Sequence, residues 1–93
     1  MALKLKFLGS LRQACGKETL ILDSAGGSIL DLVKTISKKT PELRRNLLDE
    51  HLQEPKPNAL ILVNGKEISV LEGLATKLKD GDEVVFVPVV HGG

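Results

Sequence analysis

The sequence contains neither tryptophan nor tyrosine, and its aromatic residues are two phenylalanines, Phe7 and Phe86. Aromatic side chains are the platforms on which single-stranded nucleic acids stack, so their scarcity counts against that kind of ligand. The 13 basic and 12 acidic residues nearly cancel, and no block of lysine or arginine supplies a concentrated basic surface. Composition therefore argues against direct nucleic-acid binding as the main activity.

Cysteine and histidine are also scarce, with Cys15 the single thiol and His51 and His91 the two imidazoles. A single cysteine excludes an intramolecular disulfide and is typical of a reducing compartment. No evident base lies near Cys15 in the sequence, so we interpret it as a small packing residue rather than a nucleophile. Two histidines without an accompanying cluster of thiolates or carboxylates are too few for a metal site. We predict no catalytic residue and no metal.

Long apolar runs are missing as well. The first residues lack the uninterrupted apolar stretch of a signal peptide, and no segment approaches the length of a membrane span. We therefore expect a cytoplasmic protein with no membrane partner. A chain of 93 residues has room for one hydrophobic core, so residues 1–93 are assigned to a single small domain.

The apolar residues that are present, mainly leucine, isoleucine and valine, predict two strands followed by a helix. Residues 2–8 and 18–23 alternate between apolar and polar, which indicates an antiparallel pair, with one helical turn at residues 11–15 between them. Ser28 and Asp31 match a capping box, and the apolar spacing that follows predicts an amphipathic main helix.

The second half of the chain predicts more strands. A short helical segment at residues 42–48 and an irregular loop at 51–58 precede a strand at 60–64. The Asn64-Gly65 turn predicts a hairpin with a brief return strand at residues 67–69. A turn at Asp80-Gly81 leads into the last strand, residues 83–89. This order predicts an α+β fold of the β-grasp (ubiquitin-like) type, with a mixed sheet of four to five strands and one main helix on one face.

One face of this sheet is more apolar than a solvated face should be. If the buried residues of the third and last strands point toward the helix, five apolar side chains point away from it: Leu60, Leu62, Val85, Val87 and Val89. Ile21 and Leu8 extend the same surface. A patch of this kind marks a partner-docking face, although the proline-containing loop or a second subunit covering it would explain the pattern equally.

The chain ends in His91-Gly92-Gly93 directly after the last predicted strand. Glycine has no Cβ, so a terminal Gly-Gly forms a narrow stalk whose carboxylate can be threaded into the active site of another protein. Chain ends are also commonly poorly ordered, and two terminal glycines alone do not separate these interpretations. The position of the stalk beside the docking face favours a reactive C-terminus.

These features together resemble a known family. The residues that carry the resemblance are Val63-Asn64-Gly65-Lys66, the segment 78–84, Pro88 and the terminal Gly-Gly, and they are similar to the sulfur carriers of the MoaD/ThiS group. The ending His-Gly-Gly and the additional segment at residues 40–58 are closer to the ubiquitin-related modifier of the urmylation pathway. The MoaD pattern more often has a small residue where His91 stands.

The resemblance implies a carrier or modifier that is a substrate of enzymes, with no bound cofactor. An adenylating activating enzyme would use ATP to adenylate Gly93, and a sulfur donor or sulfurtransferase would convert it to a thiocarboxylate. The sulfur would pass to a tRNA thiolation enzyme, and Gly93 would also be joined to lysines of target proteins. Gly92 and His91 would form the tail.

Two other functions remain open at this point. The first alternative is the small subunit of molybdopterin synthase, with its tail inserted into the large subunit to supply sulfur for molybdenum cofactor biosynthesis. The second alternative is a β-grasp binding module with an inert tail. Lys66, Lys77 and Lys79 are possible acceptors of modification, and surface solubility explains them equally well.

Overall fold

The computed structural model of the protein describes residues 2–23, 27–41, 43, 47–49, 56–57 and 59–88. The strands and α-helices whose limits lie within these residues follow one another in the order β1 (Ala2–Phe7), α1 (Gly9–Cys15), β2 (Thr19–Asp23), α2 (Ile29–Lys39), β3 (Leu48–Asp49), β4 (Lys56–Pro57), β5 (Ala59–Val63), β6 (Lys66–Glu67) and β7 (Glu83–Pro88). Two 3-10 turns, Ile68–Val70 and Gly73–Ala75, lie between β6 and β7.

Five strands form one mixed sheet in the order β2-β1-β7-β5-β6. The central pair, β1 and β7, is parallel, while β1–β2, β5–β7 and β5–β6 are antiparallel. Parallel neighbours need a long crossover connection, and here the chain between β1 and β7 includes the main helix α2. The predicted β-grasp fold, with one main helix on a five-stranded mixed sheet, is confirmed.

The core lies between α2 and one face of the sheet. Alternate residues of β1, β5 and β7 point into it, as the sequence alternation predicted, and the aliphatic stripe of α2 meets them. The rings of Phe7 and Phe86 stack with their centroids 5.1 Å apart, which locks the central strands together. The buried apolar side chains of these elements are Leu3, Leu5, Phe7, Ile29, Leu32, Val33, Ile36, Ala59, Ile61, Val63, Val84 and Phe86.

Helix α2 begins where the capping box predicted. The Ser28 hydroxyl accepts a hydrogen bond from the Asp31 backbone N–H at 3.3 Å, and the Asp31 carboxylate accepts one from the Ser28 N–H at 3.1 Å. The same end of the helix is tied to the chain before β7, since the Ile29 N–H donates to the Thr76 carbonyl at 2.9 Å. The crossover helix is therefore fixed to the segment that feeds the central strand.

Several predicted boundaries were wrong, including those of β5, which is Ala59–Val63 rather than residues 60–64. The return strand after the hairpin is only Lys66–Glu67, because the Glu67 carboxylate accepts a hydrogen bond from the Ser69 N–H and caps the 3-10 turn Ile68–Val70. The first short helix begins at Gly9 rather than at residue 11. The predicted strand at residues 2–8 ends at Phe7.

The segment between α2 and β5 also differs from expectation. Leu43 and Leu47 are helical and buried, as predicted, but Leu48 begins strand β3 instead of ending the helix. This strand pairs with β4, Lys56–Pro57, so the predicted loop contains a strand at that point. The remaining residues of the predicted helix and loop, 42, 44–46, 51–55 and 58, lie outside the described residues.

Side-chain hydrogen bonds join two turns at the end of the sheet where β5 ends and β7 begins. Asn64 has a left-handed backbone, with φ at +50°, and its amide donates to the Asp82 carboxylate at 2.9 Å. The Asn64 side-chain oxygen accepts from the Glu83 N–H at 2.9 Å, and the second Asp82 oxygen accepts from the Lys79 N–H at 2.7 Å. One asparagine therefore shapes the β5–β6 turn and joins it to the turn that starts β7.

We expect Asn64→Gly to lower the free energy of unfolding by about 1 kcal/mol, because glycine keeps the left-handed turn but loses the Asp82 and Glu83 contacts. Asn64→Ala should cost roughly 1 kcal/mol more, since it also carries a Cβ into that conformation. Urea denaturation measures both, with Lys66→Ala in the same hairpin as the control. Equal stability of Asn64→Gly and the wild type would contradict this role.

A second prediction is that the stability of the fold depends on pH through the Glu67 carboxyl. Hydrogen bonds from Ser69, the side chain first and the backbone second, hold the pKa of the Glu67 carboxyl below its ordinary value of 4.5. A carboxyl with a lowered pKa in the folded state stabilises the fold above the unfolded value and loses that contribution as the pH falls. Thermal melts from pH 6 to pH 3 should therefore show wild type and Glu67→Gln converging at low pH, and a difference in melting temperature that stays constant over this range would contradict the role of Glu67.

Candidate functional site

The face of the sheet opposite α2 carries the apolar residues that the sequence singled out. Leu60 and Leu62 of β5 lie beside Val87 and Val85 of β7 in direct register. Leu60 is 37% exposed and the other three side chains are half-buried. We call these four residues the open-face patch. Their predicted orientation away from α2 is confirmed, because the residues that alternate with them, Ile61, Val63, Val84 and Phe86, are buried. That they dock a partner stays a prediction.

Two further apolar side chains are exposed on or beside strands of the same sheet. Ile21 of β2 is 63% exposed, and Leu8, at the end of β1, is 37% exposed. Both were predicted to extend the apolar surface, and their exposure agrees with that prediction. Large exposed aliphatic side chains gathered on one sheet face are typical of surfaces that bind other proteins.

Strand β7 connects this surface to the end of the chain. Its last residue, Pro88, follows Val87 of the open-face patch directly. The predicted tail residues His91, Gly92 and Gly93, and the fifth predicted docking residue Val89, lie outside the described residues. Their predicted roles therefore stay predictions.

Gly9 lies close to Pro88 at the end of β7, a contact that no local pattern in the sequence predicts. The Leu8 N–H donates to the Phe86 carbonyl at 3.1 Å, which extends the β1–β7 pairing by one residue. Gly9 then turns the chain into α1 with φ at +55°, and a Cβ placed there would lie 2.9 Å from the Pro88 Cγ. Nothing local in the sequence shows that Pro88 is the neighbour of Gly9.

The face of the sheet opposite α2 also carries charged side chains. Lys4 and Lys6 of β1 point outward, as the alternation predicted, and both ammonium groups approach the same Glu83 carboxylate oxygen, at 3.8 and 3.9 Å. The parallel pairing of β1 with β7 sets Lys4 beside Glu83 and Lys6 beside Val85. Only knowledge of that pairing would have identified Glu83 as the shared partner.

Other residues considered from the sequence fall into structural roles. Cys15 is partly buried and packs against the core, in agreement with its interpretation as a packing residue. The carboxylates of Asp80 and Asp82 accept backbone hydrogen bonds from Ala2 and Lys79. Both histidines lie outside the described residues, so the expected absence of a metal site stays a prediction. None of the helices in the described part of the chain is long and apolar enough to cross a bilayer.

The fold is that of a ubiquitin-like β-grasp protein. The family model named ThiS matches residues 5–93, and the chain belongs to the ThiS family. Ubiquitin-related modifier 1 of Schizosaccharomyces pombe is 33% identical over 100 residues, and both chains are covered completely. A protein of Archaeoglobus fulgidus, provisionally named a sulfur carrier, is 32% identical over 93 residues with the same complete coverage.

Solved structures agree with this assignment. The small archaeal modifier protein 1 of Methanosarcina acetivorans superposes with a TM-score of 0.81 at 34% identity, covering 99% of this chain and 96% of the other. A chain of the two-subunit molybdopterin-converting factor complex of Helicobacter pylori superposes with a TM-score of 0.61 at 22% identity, with complete coverage of both chains. At that identity the likeness shows the fold alone. By name these relatives are carriers, modifiers and subunits of complexes.

We expect Gly9→Ala to destabilise the fold more than Gly16→Ala. Both positions have left-handed backbones, which costs an alanine about 1 kcal/mol, but only at Gly9 does the new methyl group overlap another residue, Pro88. Thermal unfolding measures the difference, and Pro88→Ala in the Gly9→Ala background should restore part of the loss. Equal destabilisation by the two glycine substitutions would show that the Pro88 contact is unimportant.

Proposed function

We propose that the protein carries activated sulfur on its C-terminal glycine. The Gly93 carboxylate is adenylated by an ATP-using activating enzyme, and a sulfur donor or sulfurtransferase then converts it to a thiocarboxylate. The protein itself binds no cofactor and catalyses neither step. Membership of the ThiS family and the similarity to proteins named as modifiers and carriers support this proposal.

The proposal rests mainly on strand β7, which carries two residues of the open-face patch and leads toward the C-terminus. Val85 and Val87 belong to the open-face patch, and the same strand runs through Pro88 toward Gly93, five residues further on. A partner that docks on the patch therefore receives the end of the chain, because a segment of five residues spans at most roughly 17 Å. Docking converts the attack of the carboxylate on ATP, which releases pyrophosphate, into a reaction within a complex, where orientation lowers the barrier.

The chemistry suits a chain end without side chains. A carboxylate is a poor electrophile, so transfer of AMP from ATP supplies a leaving group that a sulfur nucleophile then displaces. Gly92 keeps the stalk narrow, since it has no Cβ to obstruct entry into the enzyme. His91 lies next to this stalk, and we assign it to the tail that enters the activating enzyme.

For the sulfur acceptor, we propose a tRNA thiolation enzyme, with joining of Gly93 to lysines of target proteins as a further use of the same activated end. The ending His-Gly-Gly and the similarity to a ubiquitin-related modifier support this choice. The fold it shares with a subunit of the molybdopterin-converting factor keeps one alternative, a sulfur-donating small subunit that inserts its tail into a larger synthase subunit. Either acceptor implies a cytoplasmic protein.

The test is to incubate the purified protein with an activating enzyme, ATP and a sulfur donor, and to measure its intact mass. We expect the replacement of one oxygen by sulfur at Gly93. A chain lacking Gly93 should not be charged although its thermal melting is unchanged, because the tail lies beyond the last strand of the sheet. No mass change in the wild-type chain, while a known carrier is charged in parallel, would falsify the proposal.

The acceptor is identified by isolating proteins bound to the charged chain. Lysine-linked adducts or a tRNA-modifying enzyme support the modifier function. A stable complex with a large synthase subunit and no such adducts would instead assign the chain to molybdenum cofactor synthesis.

A further inference from the structure

Asn64 and Gly65 form a chemically reactive pair in the turn between β5 and β6. Both residues are exposed. Apart from the two residues that adjoin Gly65, no described residue has an atom within 4 Å of the position that its Cβ would occupy. The Gly65 nitrogen can therefore approach the Asn64 side-chain carbon without hindrance. The other two asparagines, Asn46 and Asn58, precede leucine and alanine, so we expect the Asn64 amide to be the most reactive of the three.

Deamidation at this pair needs water as its only co-reactant. The Gly65 nitrogen loses its proton and forms a bond to the Asn64 Cγ, while the bond from Cγ to the amide nitrogen breaks and ammonia leaves with that proton. Water then opens the resulting succinimide ring at either of its two carbonyl groups. The products are aspartate and isoaspartate, and isoaspartate lengthens the main chain of the turn because the chain then runs through the side-chain carbons.

The fold holds the Asn64 amide away from this reaction. Its nitrogen donates to the Asp82 carboxylate at 2.9 Å, and its oxygen accepts from the Glu83 N–H at 2.9 Å. The Asn64 backbone N–H also donates to the Glu83 carbonyl at 2.8 Å, so backbone and side chain are both fixed to the start of β7. Ring closure requires the side chain to turn toward Gly65, which breaks both side-chain hydrogen bonds. The reaction therefore proceeds from a locally opened turn.

Asp82 supplies the stronger of the two side-chain restraints. Its contact with Asn64 is charge-assisted, and such hydrogen bonds are roughly twice as strong as those between neutral groups. The carboxylate is itself held in place, because its second oxygen accepts from the Lys79 N–H at 2.7 Å. Without this carboxylate, the Asn64 side chain would keep only its contact with a neutral backbone group, and its opened state would be more populated.

We propose that Asn64 is a site of deamidation in the folded protein and that Asp82 sets the rate by holding its amide. This site does not depend on the proposed sulfur chemistry. Deamidation replaces a hydrogen-bond donor with a carboxylate opposite the Asp82 carboxylate, so an attractive contact between the two turns becomes repulsive. The modified chain is therefore less stable at the start of its central strand.

The test incubates the purified protein at mildly alkaline pH, well below its melting temperature. Peptide mass spectrometry measures the exchange of the amide NH2 for OH at each asparagine, so Asn64 is followed separately from Asn46 and Asn58. The variant Asp82→Ala removes the proposed restraint.

Two matched variants serve as controls. Asp80→Ala removes a carboxylate from the same turn, but that carboxylate accepts from the Ala2 N–H and not from Asn64. Gly16→Ala strains a left-handed position at the end of α1, so it lowers the stability of the fold without changing a contact of Asn64. Thermal melts confirm that each variant is folded during the incubation.

We expect Asp82→Ala to raise the rate of deamidation at Asn64 about tenfold, the factor that corresponds to the loss of one charge-assisted hydrogen bond. The two control variants should stay within about twofold of the wild type, because neither loses a contact of Asn64. Asn64→Asp, which carries the side chain of one product, should melt at a lower temperature than the wild type.

Three results would overturn the inference. Equal rates at Asn64 in the wild type and in Asp82→Ala would show that Asp82 does not hold the amide. A slower rate in Asp82→Ala would show that the carboxylate instead assists the attack as a base. Absence of conversion at Asn64 even in the urea-unfolded wild type would show that the pair is not reactive. None of these results bears on sulfur transfer at Gly93.

Discussion

The parallel pairing of β1 with β7 is the contact on which the rest of the molecule depends. It joins the first and last strands of the described sheet from Lys4 beside Glu83 to Phe7 beside Phe86. The stacked phenylalanine rings secure it from the core side, and the Leu8 N–H extends it toward the tail. Every feature of the candidate site lies along this pair or one strand from it.

Strand β7 presents two sets of side chains, which its alternation keeps separate. Val84 and Phe86 are fully buried and hold the strand in the core, while Val85 and Val87 face away from α2 beside Leu62 and Leu60. Because the side-chain period of a strand is two, a slip of one residue would exchange these sets. The core that stabilises the fold thus also fixes which residues face away from α2.

Local patterns in the sequence predicted local structure well. Alternation identified the inward residues of β1, β5 and β7, and Ser28 with Asp31 marked the start of α2, because each signal depends on a few neighbouring residues. One error came from a side chain acting across a short distance, where Glu67 caps a 3-10 turn and ends the return strand.

The site was harder to predict for a different reason. Which residues of β1 and β7 are neighbours depends on a crossover that no local pattern specifies, so the shared role of Glu83 and the contact of Gly9 with Pro88 were not foreseen. The predicted roles of Gly93 and Gly92 rest on the resemblance and on the chemistry of an unhindered carboxylate.

The position of β7 at the centre of the sheet has a consequence for synthesis on the ribosome. Translation delivers the chain from its first residue, yet β1 and β5 have no common neighbour until Glu83–Pro88 has emerged from the exit tunnel. Contacts between such distant segments form late and slowly. A nascent chain interrupted before β7 therefore lacks the central strand of its sheet and exposes its apolar core to chaperones and proteases, so that only completed chains enter the folded pool.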